Sequence, residues 1–98
     1  MRVGTTPTYT FKLPFATDVV SKAKVTFRQN NKVVLEKTDA CVLEGDIIKV
    51  SLTQEETFMF TFPGKAEVQL RIVTQGNDAL ASAPFLFLVE ECLDKEVL

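Results

Sequence analysis

Histidine and tryptophan are both absent from this chain of 98 residues, and the lack of histidine excludes a large part of common enzyme chemistry. Without an imidazole ring, the histidine-activated serine and cysteine nucleophiles of hydrolases cannot form within the chain. Neither of the two cysteines, Cys41 and Cys92, has a second thiol at the spacing of a zinc-binding pair. We therefore expect no catalytic residue, no metal site and no cofactor, and a function that is not enzymatic.

Long apolar runs are also missing. The longest strongly apolar stretch, from Ala83 to Val89, is far shorter than the roughly 20 residues that a membrane-spanning helix needs. The opening residues, Met1 to Pro7, lack the apolar segment of about seven residues or more that marks a secretion signal. We expect a protein that stays in the cytoplasm of the cell that makes it, contacts no membrane, and keeps both cysteines as reduced thiols.

An excess of charge of one sign is the third absence. Eleven basic and 13 acidic residues give a formal net charge of −2, and the charges are spread along the chain, so we expect no nucleic-acid partner. A row of cations, Lys22, Lys24 and Arg28, falls on one side of a predicted strand. No aromatic residue interleaves with this row for base stacking, and we interpret it as a solvated strand face.

Short runs of alternating apolar residues, separated by turn signals about every dozen residues, are the feature that is present. They predict an all-β fold: one domain over residues 1–98, built as an antiparallel immunoglobulin-like sandwich of about seven strands, with a barrel as the second choice. The capping-box pattern Thr53–Glu56 predicts one short helical turn near Thr53–Thr57. Residues 92–98 are charged and terminal, and we expect a flexible tail whose final Val97–Leu98 could dock on a neighbouring chain.

The alternation of apolar residues predicts the positions of four strands before the last hairpin. We expect strands over Thr6–Leu13, Val20–Gln29 and Ile47–Leu52, and a short one over Phe58–Phe62 that Pro63 ends. After Gln29, a two-residue Asn30–Asn31 loop sets Phe27 opposite Val34, whereas a three-residue loop ending at Lys32 sets Phe27 opposite Leu35. We favour the three-residue loop, because it places Val33 and Leu35 on the core face and needs only one left-handed residue.

The last hairpin carries the candidate binding residues. A Gly76–Asn77 turn pairs Ile72 with Ala81 and Val68 with Phe85, and Pro84 indicates an edge position or a bulge. This register makes the strands apolar on the outward face as well. The residues concerned are Val73, Leu80, Leu86 and Leu88. Either the terminal segments of the chain cover them, or another subunit or protein does.

A family resemblance supplies a functional hypothesis. The segments Gly4–Phe11 and Leu13–Phe15, the Leu43–Gly45 turn and Leu52–Thr57 resemble small prophage-encoded proteins of Gram-positive bacteria. These proteins are in turn similar to the N-terminal sandwich domain of phage baseplate upper proteins. The resemblance implies a structural or adaptor protein of a phage tail or baseplate, made in the bacterial cytoplasm and then part of the virion. Its partners would be itself, other tail proteins, or both.

A ligand-binding module is the alternative function. Loops at the ends of the sandwich, such as Gln29–Lys32 and Gln75–Asp78, could bind a surface glycan. Glycan platforms usually need exposed aromatic rings, but Tyr9 is the only tyrosine and most phenylalanines fall at predicted core positions.

Overall fold

A computed structural model describes residues 1–38 and 40–98. Within this part, eight strands, a 3-10 turn at Thr17–Val19 and one short helix account for the regular structure. The strands are β1 (Thr8–Lys12), β2 (Val20–Gln29), β3 (Lys32–Lys37), β4 (Val42–Glu44), β5 (Ile47–Ser51), β6 (Gly64–Thr74), β7 (Ala79–Ala81) and β8 (Phe85–Val89); the helix is α1 (Gln54–Thr57). The predicted all-β class is confirmed. None of the described helices has the length and apolar character needed to cross a bilayer.

Two antiparallel sheets carry these strands. The small sheet has the order β1-β5-β4; the large one has β3-β2-β6, with β7 and β8 both paired to β6 on the side away from β2. In immunoglobulin letters these orders are B-E-D and C′-C-F-G, with the last strand split in two. The predicted immunoglobulin-like sandwich is therefore confirmed by strand order.

The core lies between the sheets and centres on Phe27, which is fully buried. Its ring contacts Tyr9 from the small sheet, with centroids 5.3 Å apart, and it also contacts Phe60 at 6.0 Å and Phe87 at 6.3 Å. Alternate residues of the neighbouring strands complete the core, as the period of two requires. They include Val25, Ile48, Val50, Leu52, Val68 and Leu70. The two sheets are thus held together by aromatic edge-to-face contacts as well as by apolar burial.

The β2–β3 hairpin differs from the predicted one. Its loop contains two residues, Asn30 and Asn31, both with positive φ, at 54° and 62°, so that Gln29 pairs with Lys32. Phe27 nevertheless lies opposite Leu35, because a bulge between Phe27 and Arg28 absorbs one residue of β3. The loop length was therefore predicted wrongly and this pairing correctly.

The bulge also changes which β3 residues face inward. Val33 is exposed, whereas Val34 and Leu35 pack against the core, so the predicted core position of Val33 is wrong.

The strand predicted over Phe58–Phe62 does not form. The capping box at Thr53 is present as predicted, and the helical turn that it starts extends into further local turns. The amide of Met59 donates to the carbonyl of Glu56, and that of Phe60 to Thr57. Because these backbone groups bond locally, they cannot join a strand ladder. Phe60 is buried all the same, and the next strand begins at Gly64.

The β6–β7 hairpin is shifted by one residue from its predicted register. Thr74 donates to the carbonyl of Asp78 over 2.9 Å, and this closing pair encloses a loop of three residues, Gln75–Asn77, with Asn77 at φ 66°. Ile72 therefore pairs with Leu80 and not with Ala81. The break between β7 and β8, which contains Pro84, restores the predicted pairing of Val68 with Phe85. Pro84 lies on the edge of the sheet, where its missing amide is tolerated.

The N-terminal segment borders the large sheet. Arg2 forms a parallel bridge with Glu90, and Val3, fully buried, donates its amide to the carbonyl of Glu90 over 3.0 Å. At Gly4, φ is +80° and the amide donates to the hydroxyl of the buried Thr57. An added Cβ there would lie 3.2 Å from the Phe58 ring. Glycine at this position is what lets the segment pass over α1.

The C-terminal segment 92–98 forms neither a strand nor a helix. Leu98 donates its amide to Oε1 of Gln54 over 2.8 Å, and the ammonium group of Lys95 lies 5.3 Å from the centre of the Phe62 ring. The tail therefore contacts α1 and the following turn of its own chain.

Replacing the central ring tests the account of the core. We expect Phe27→Ala to lower the free energy of unfolding by about 3–5 kcal/mol, because the change removes contacts in both sheets and leaves a cavity. Chemical denaturation measures this loss. The matched control is Leu93→Ala, at a side chain fully open to solvent, which should change stability by less than about 0.5 kcal/mol. Equal effects of the two variants would contradict the central position of Phe27.

Tyr9 offers a spectroscopic test, because it is the only tyrosine and the chain has no tryptophan. Burial raises the pKa of Tyr9 to about 12. The raised pKa means that the neutral phenol contributes stability that is complete below about pH 10 and is lost as pH rises through about 12. Tyrosinate absorbance should titrate near pH 12 in the folded protein and near pH 10 in denaturant. A folded-state midpoint near 10 would show that the ring is not buried between the sheets.

Candidate functional site

Two of the four candidate residues project together from strand β8. Leu86 lies opposite Glu67 and Leu88 opposite Lys65, on the outer face of the large sheet. Their side chains are 73% and 57% exposed. Leucines this accessible, two residues apart on one strand face, present apolar surface to water.

The other two candidates lie elsewhere. Val73 pairs with Lys22 and is partly buried at the far end of β6, six residues and about 20 Å along the strand from Glu67. Leu80 pairs with the buried Ile72, on the inner side of the sheet, where it is 45% exposed. The expectation of one outward patch containing all four residues is therefore wrong. The cause is the three-residue loop, which shifts β7 by one position and so reverses the face that Leu80 occupies.

The chain's own termini leave the outer face of β8 open. The N-terminal amino group donates to the carbonyl of Leu88 over 2.7 Å, and Glu90 donates to the carbonyl of Met1 over 2.8 Å. These bonds lie along the backbone edge of the strand, whereas the side chains of Leu86 and Leu88 project from the sheet. The sequence left two explanations for the outward apolar residues: cover by the terminal segments of the chain, or cover by another protein. The N-terminal segment covers the backbone edge of β8 but does not cover the side chains of Leu86 and Leu88.

Sequence reasoning missed a third exposed residue on this strand. Phe85 was predicted to be a core residue opposite Val68, and its ring does lie 6.3 Å from that of Phe11, yet 58% of it is exposed because β8 is the edge strand. Phe85 lies on the inner face with Phe87, so it is not continuous with the outward leucines, and we call the surface formed by Leu86 and Leu88 the β8 apolar surface. The signal that could have revealed it is the run 79–89, which contains no charged residue although edge strands usually carry charge.

One pair of charges next to the β8 apolar surface is mutually neutralised. Arg28 donates to Oε1 of Glu67 from Nη2 at 2.8 Å and from Nε at 3.1 Å. This pair lies directly beside Leu86 on the outer face, and the exposed Val33 lies opposite Arg28 on β3. The region is an apolar contact surface whose neighbours include one internal ion pair and, opposite Leu88, the exposed Lys65.

The two loops considered for ligand binding lie at opposite ends of the large sheet. Val20, at the start of β2, pairs with Thr74 next to the Gln75–Asp78 loop. The Gln29–Lys32 loop is at the other end of this ten-residue strand, about 30 Å away. Gln29 is also engaged internally, because its buried amide bonds to both the amide and the carbonyl of Thr61, at 2.6 and 2.8 Å. The two loops therefore cannot form one site.

Glu56 is the carboxylate most strongly held within the structure. Burial by itself raises its pKa, but hydrogen bonds from Lys37, at 2.7 and 2.9 Å, and from the Thr53 amide, at 2.8 Å, lower the pKa overall. These bonds connect β3 to the start of α1. Both oxygens of the carboxylate are engaged in the capping box and the ion pair, which gives Glu56 a structural role.

Comparison with known proteins adds little to this description. No protein-family model and no curated protein matches the chain. Among solved structures, the chain is similar to Drosophila OTK, extracellular domains 3–5, at 15% sequence identity and a TM-score of 0.37. The similarity covers 92% of this chain and 30% of that structure. At this level, the immunoglobulin-like assignment depends on the strand order and on the two packed sheets.

The role of Glu56 predicts the acid limit of stability. Because its pKa is lowered in the folded state, its contribution is present above the unfolded-state value of about 4.3 and is lost as pH falls through the folded-state pKa. We expect Glu56→Gln to lose roughly 1–2 kcal/mol at pH 7 and to show a flatter decline at low pH. Denaturation curves at several pH values measure both effects. Glu55→Gln, at the exposed neighbouring position, is the control and should follow the unsubstituted protein; identical acid limbs for the two variants would contradict the assignment.

Proposed function

We propose that this chain is a non-enzymatic structural or adaptor protein of a phage tail or baseplate, and that it docks to a neighbouring protein through the β8 apolar surface. The observation that carries the proposal is the exposure of Leu86 and Leu88 on an edge strand whose residues 79–89 include no charge.

Burial of these side chains supplies a driving force for association. Complete removal of a leucine or phenylalanine side chain from water contributes about 1.5–3 kcal/mol. Leu86 and Leu88 are each more than half exposed in the isolated chain, so much of that free energy is still to be gained on docking. The N-terminal segment bonds to the backbone edge of β8 only around residues 88–90, and uncovered edge backbone also risks uncontrolled pairing. A stable partner would remove that risk.

The resemblance to prophage-encoded proteins supports the choice of partner. The segments Gly4–Phe11 and Leu52–Thr57 carry much of that resemblance, and in the fold they form the entry to β1 and the turn between the sheets. That resemblance implies a structural or adaptor protein that docks to itself or to neighbouring tail proteins. The partner is accordingly a tail protein or a further copy of this chain.

Removing the apolar surface without disturbing the core tests the proposal. After induction of the prophage in the bacterial host, purified particles should contain the chain in stoichiometric amounts by mass spectrometry. The Leu86→Ser, Leu88→Ser double variant should be lost from particles while keeping its thermal unfolding profile, because both side chains project into solvent. Loss of incorporation by at least tenfold corresponds to about 1.4 kcal/mol or more of contact free energy.

Two controls make the experiment specific. Leu93→Ser changes a fully exposed leucine in the C-terminal segment, and Val42→Ser an exposed valine on the small sheet; both should be incorporated normally. Absence of the unsubstituted chain from intact particles would exclude a virion role. Normal incorporation of the double variant would exclude the β8 apolar surface.

A further inference from the structure

The first half of strand β2 has a paired neighbour on one side only, although β2 is not the outermost strand of the large sheet. Strand β3 pairs with β2 only over Val25–Gln29, because after Lys37 the chain leaves toward β4. From Ser21 to Lys24, β2 is bonded to β6 on one side only. Among the residues that the structure describes, no strand pairs with the other side of this stretch. Its outward backbone amides and carbonyls are a template for an added strand.

A groove of about 560 Å³ lies beside this open edge. Its apolar lining includes Ala23 and Ile72 from the large sheet, and Cys41 and Leu43 from the segment that leads to β4. The volume falls within the range of about 300–1,000 Å³ that is usual for binding clefts. Val73, which the sequence placed with the β8 leucines, lines this groove instead. No acidic residue lines it in the described part of the chain.

Three cations border the groove: Lys22, Lys24 and Arg71. Lys24 and Arg71 are direct cross-strand partners, and Lys22 is two residues away on the same face of β2. Lys24 is paired with Glu36 at 2.8 Å. Lys22 and Arg71 have no ion pair with any residue in the ranges 1–38 and 40–98.

The row of cations Lys22, Lys24 and Arg28, which we interpreted from the sequence as a solvated strand face, falls into two groups in the structure. Arg28 is held by Glu67 at the other end of the strand, whereas Lys22 and Lys24 join Arg71 at the groove. Cations placed together, as Lys22 and Arg71 are, raise the affinity of a surface for carboxylates.

We propose that the groove binds an extended acidic segment of a partner protein, which adds to the β2 edge as a strand beside Ser21–Lys24. The register specifies the pattern of this segment. Residues opposite Lys22 and Lys24 lie on the outer face and carry carboxylates, and the residue between them lies opposite Ala23 and is apolar. Backbone hydrogen bonds supply affinity, and the alternation of acidic and apolar side chains supplies specificity. This site is separate from the β8 apolar surface and does not depend on it.

A synthetic peptide of alternating glutamate and valine, capped at both ends and labelled with a fluorophore, is the probe. Fluorescence anisotropy with the full chain should show saturable binding that weakens as salt increases. The Lys22→Gln, Arg71→Gln double variant should bind about tenfold more weakly, as the loss of two exposed charge contacts predicts. Lys12→Gln and Lys32→Gln, at exposed lysines that do not line the groove, are matched controls and should bind as the unsubstituted chain does.

Two further probes separate strand addition from simple charge attraction. A peptide of the same charge with proline in place of the valines lacks half of its backbone amides, cannot adopt a regular strand, and should bind much more weakly. A lysine–valine peptide should not bind. Binding of the proline peptide with unchanged affinity would overturn strand addition, and unchanged affinity of the double variant, or no binding of the glutamate–valine probe at millimolar concentration, would overturn the site.

The β8 variants make this test independent of the proposed function. The Leu86→Ser, Leu88→Ser protein should bind the glutamate–valine probe normally, since its substitutions lie on the strand at the opposite edge of the sheet. If the glutamate–valine peptide does not bind but the chain is incorporated into particles, the proposed peptide site is wrong and the β8 contact stands. If the peptide binds but the chain is absent from particles, the proposed function is wrong and the peptide site stands.

Discussion

The contact of Phe27 with rings from both sheets is the interaction on which the rest of the structure depends. Phe27 lies in the middle of β2, and Tyr9 and Phe87, from the small sheet and from the edge strand β8, meet it and each other; the Tyr9 and Phe87 centroids are 5.3 Å apart. Because Phe87 must point inward to join this cluster, Leu86 and Leu88 must point outward. The aromatic core and the exposed leucines are thus two consequences of a single strand orientation.

Breaks in pairing explain why the large sheet has accessible surfaces at both sides. On one side, the chain between β7 and β8 shifts its register around Pro84, and β8 becomes an edge strand with an uncharged outer face. On the other side, β3 leaves β2 after Lys37 and uncovers Ser21–Lys24. Polar backbone groups at such edges need partners, and apolar side chains there favour burial. The two proposed contact surfaces therefore differ in kind: one is a side-chain face of β8 and the other is an unpaired backbone edge of β2.

Distinct chemistry at the two edges suits a protein that bridges two neighbours. An apolar surface favours a permanent contact, because its free energy comes from removing area from water and depends little on salt. A cationic groove along an open strand selects a partner by charge and by backbone pattern, and its strength varies with ionic strength. An adaptor in a tail assembly would use the first kind of contact for attachment and the second for recognition.

Local sequence was sufficient for much of this fold. The alternation of apolar residues correctly predicted an all-β sandwich, the bounds of β2, the inward side chains of β5 and the capping box at Thr53. Each of these depends on residues at most a few positions apart, so short-range preference decides it. The exposed positions of Leu86 and Leu88 followed from the same period of two.

Only the tertiary structure decided which face of the sheet a residue occupies after a hairpin, because that face depends on the number of residues in the loop or bulge. One bulge after Phe27 and one extra loop residue before Asp78 changed the faces of Val33 and Leu80, because a shift of one position exchanges inside for outside. The turns after α1 replaced a strand that the three phenylalanines had predicted, since local hydrogen bonds there satisfied the backbone first. The groove beside β2 was invisible in the sequence, because its cations come from two strands and its wall from a third segment, and only folding brings them together.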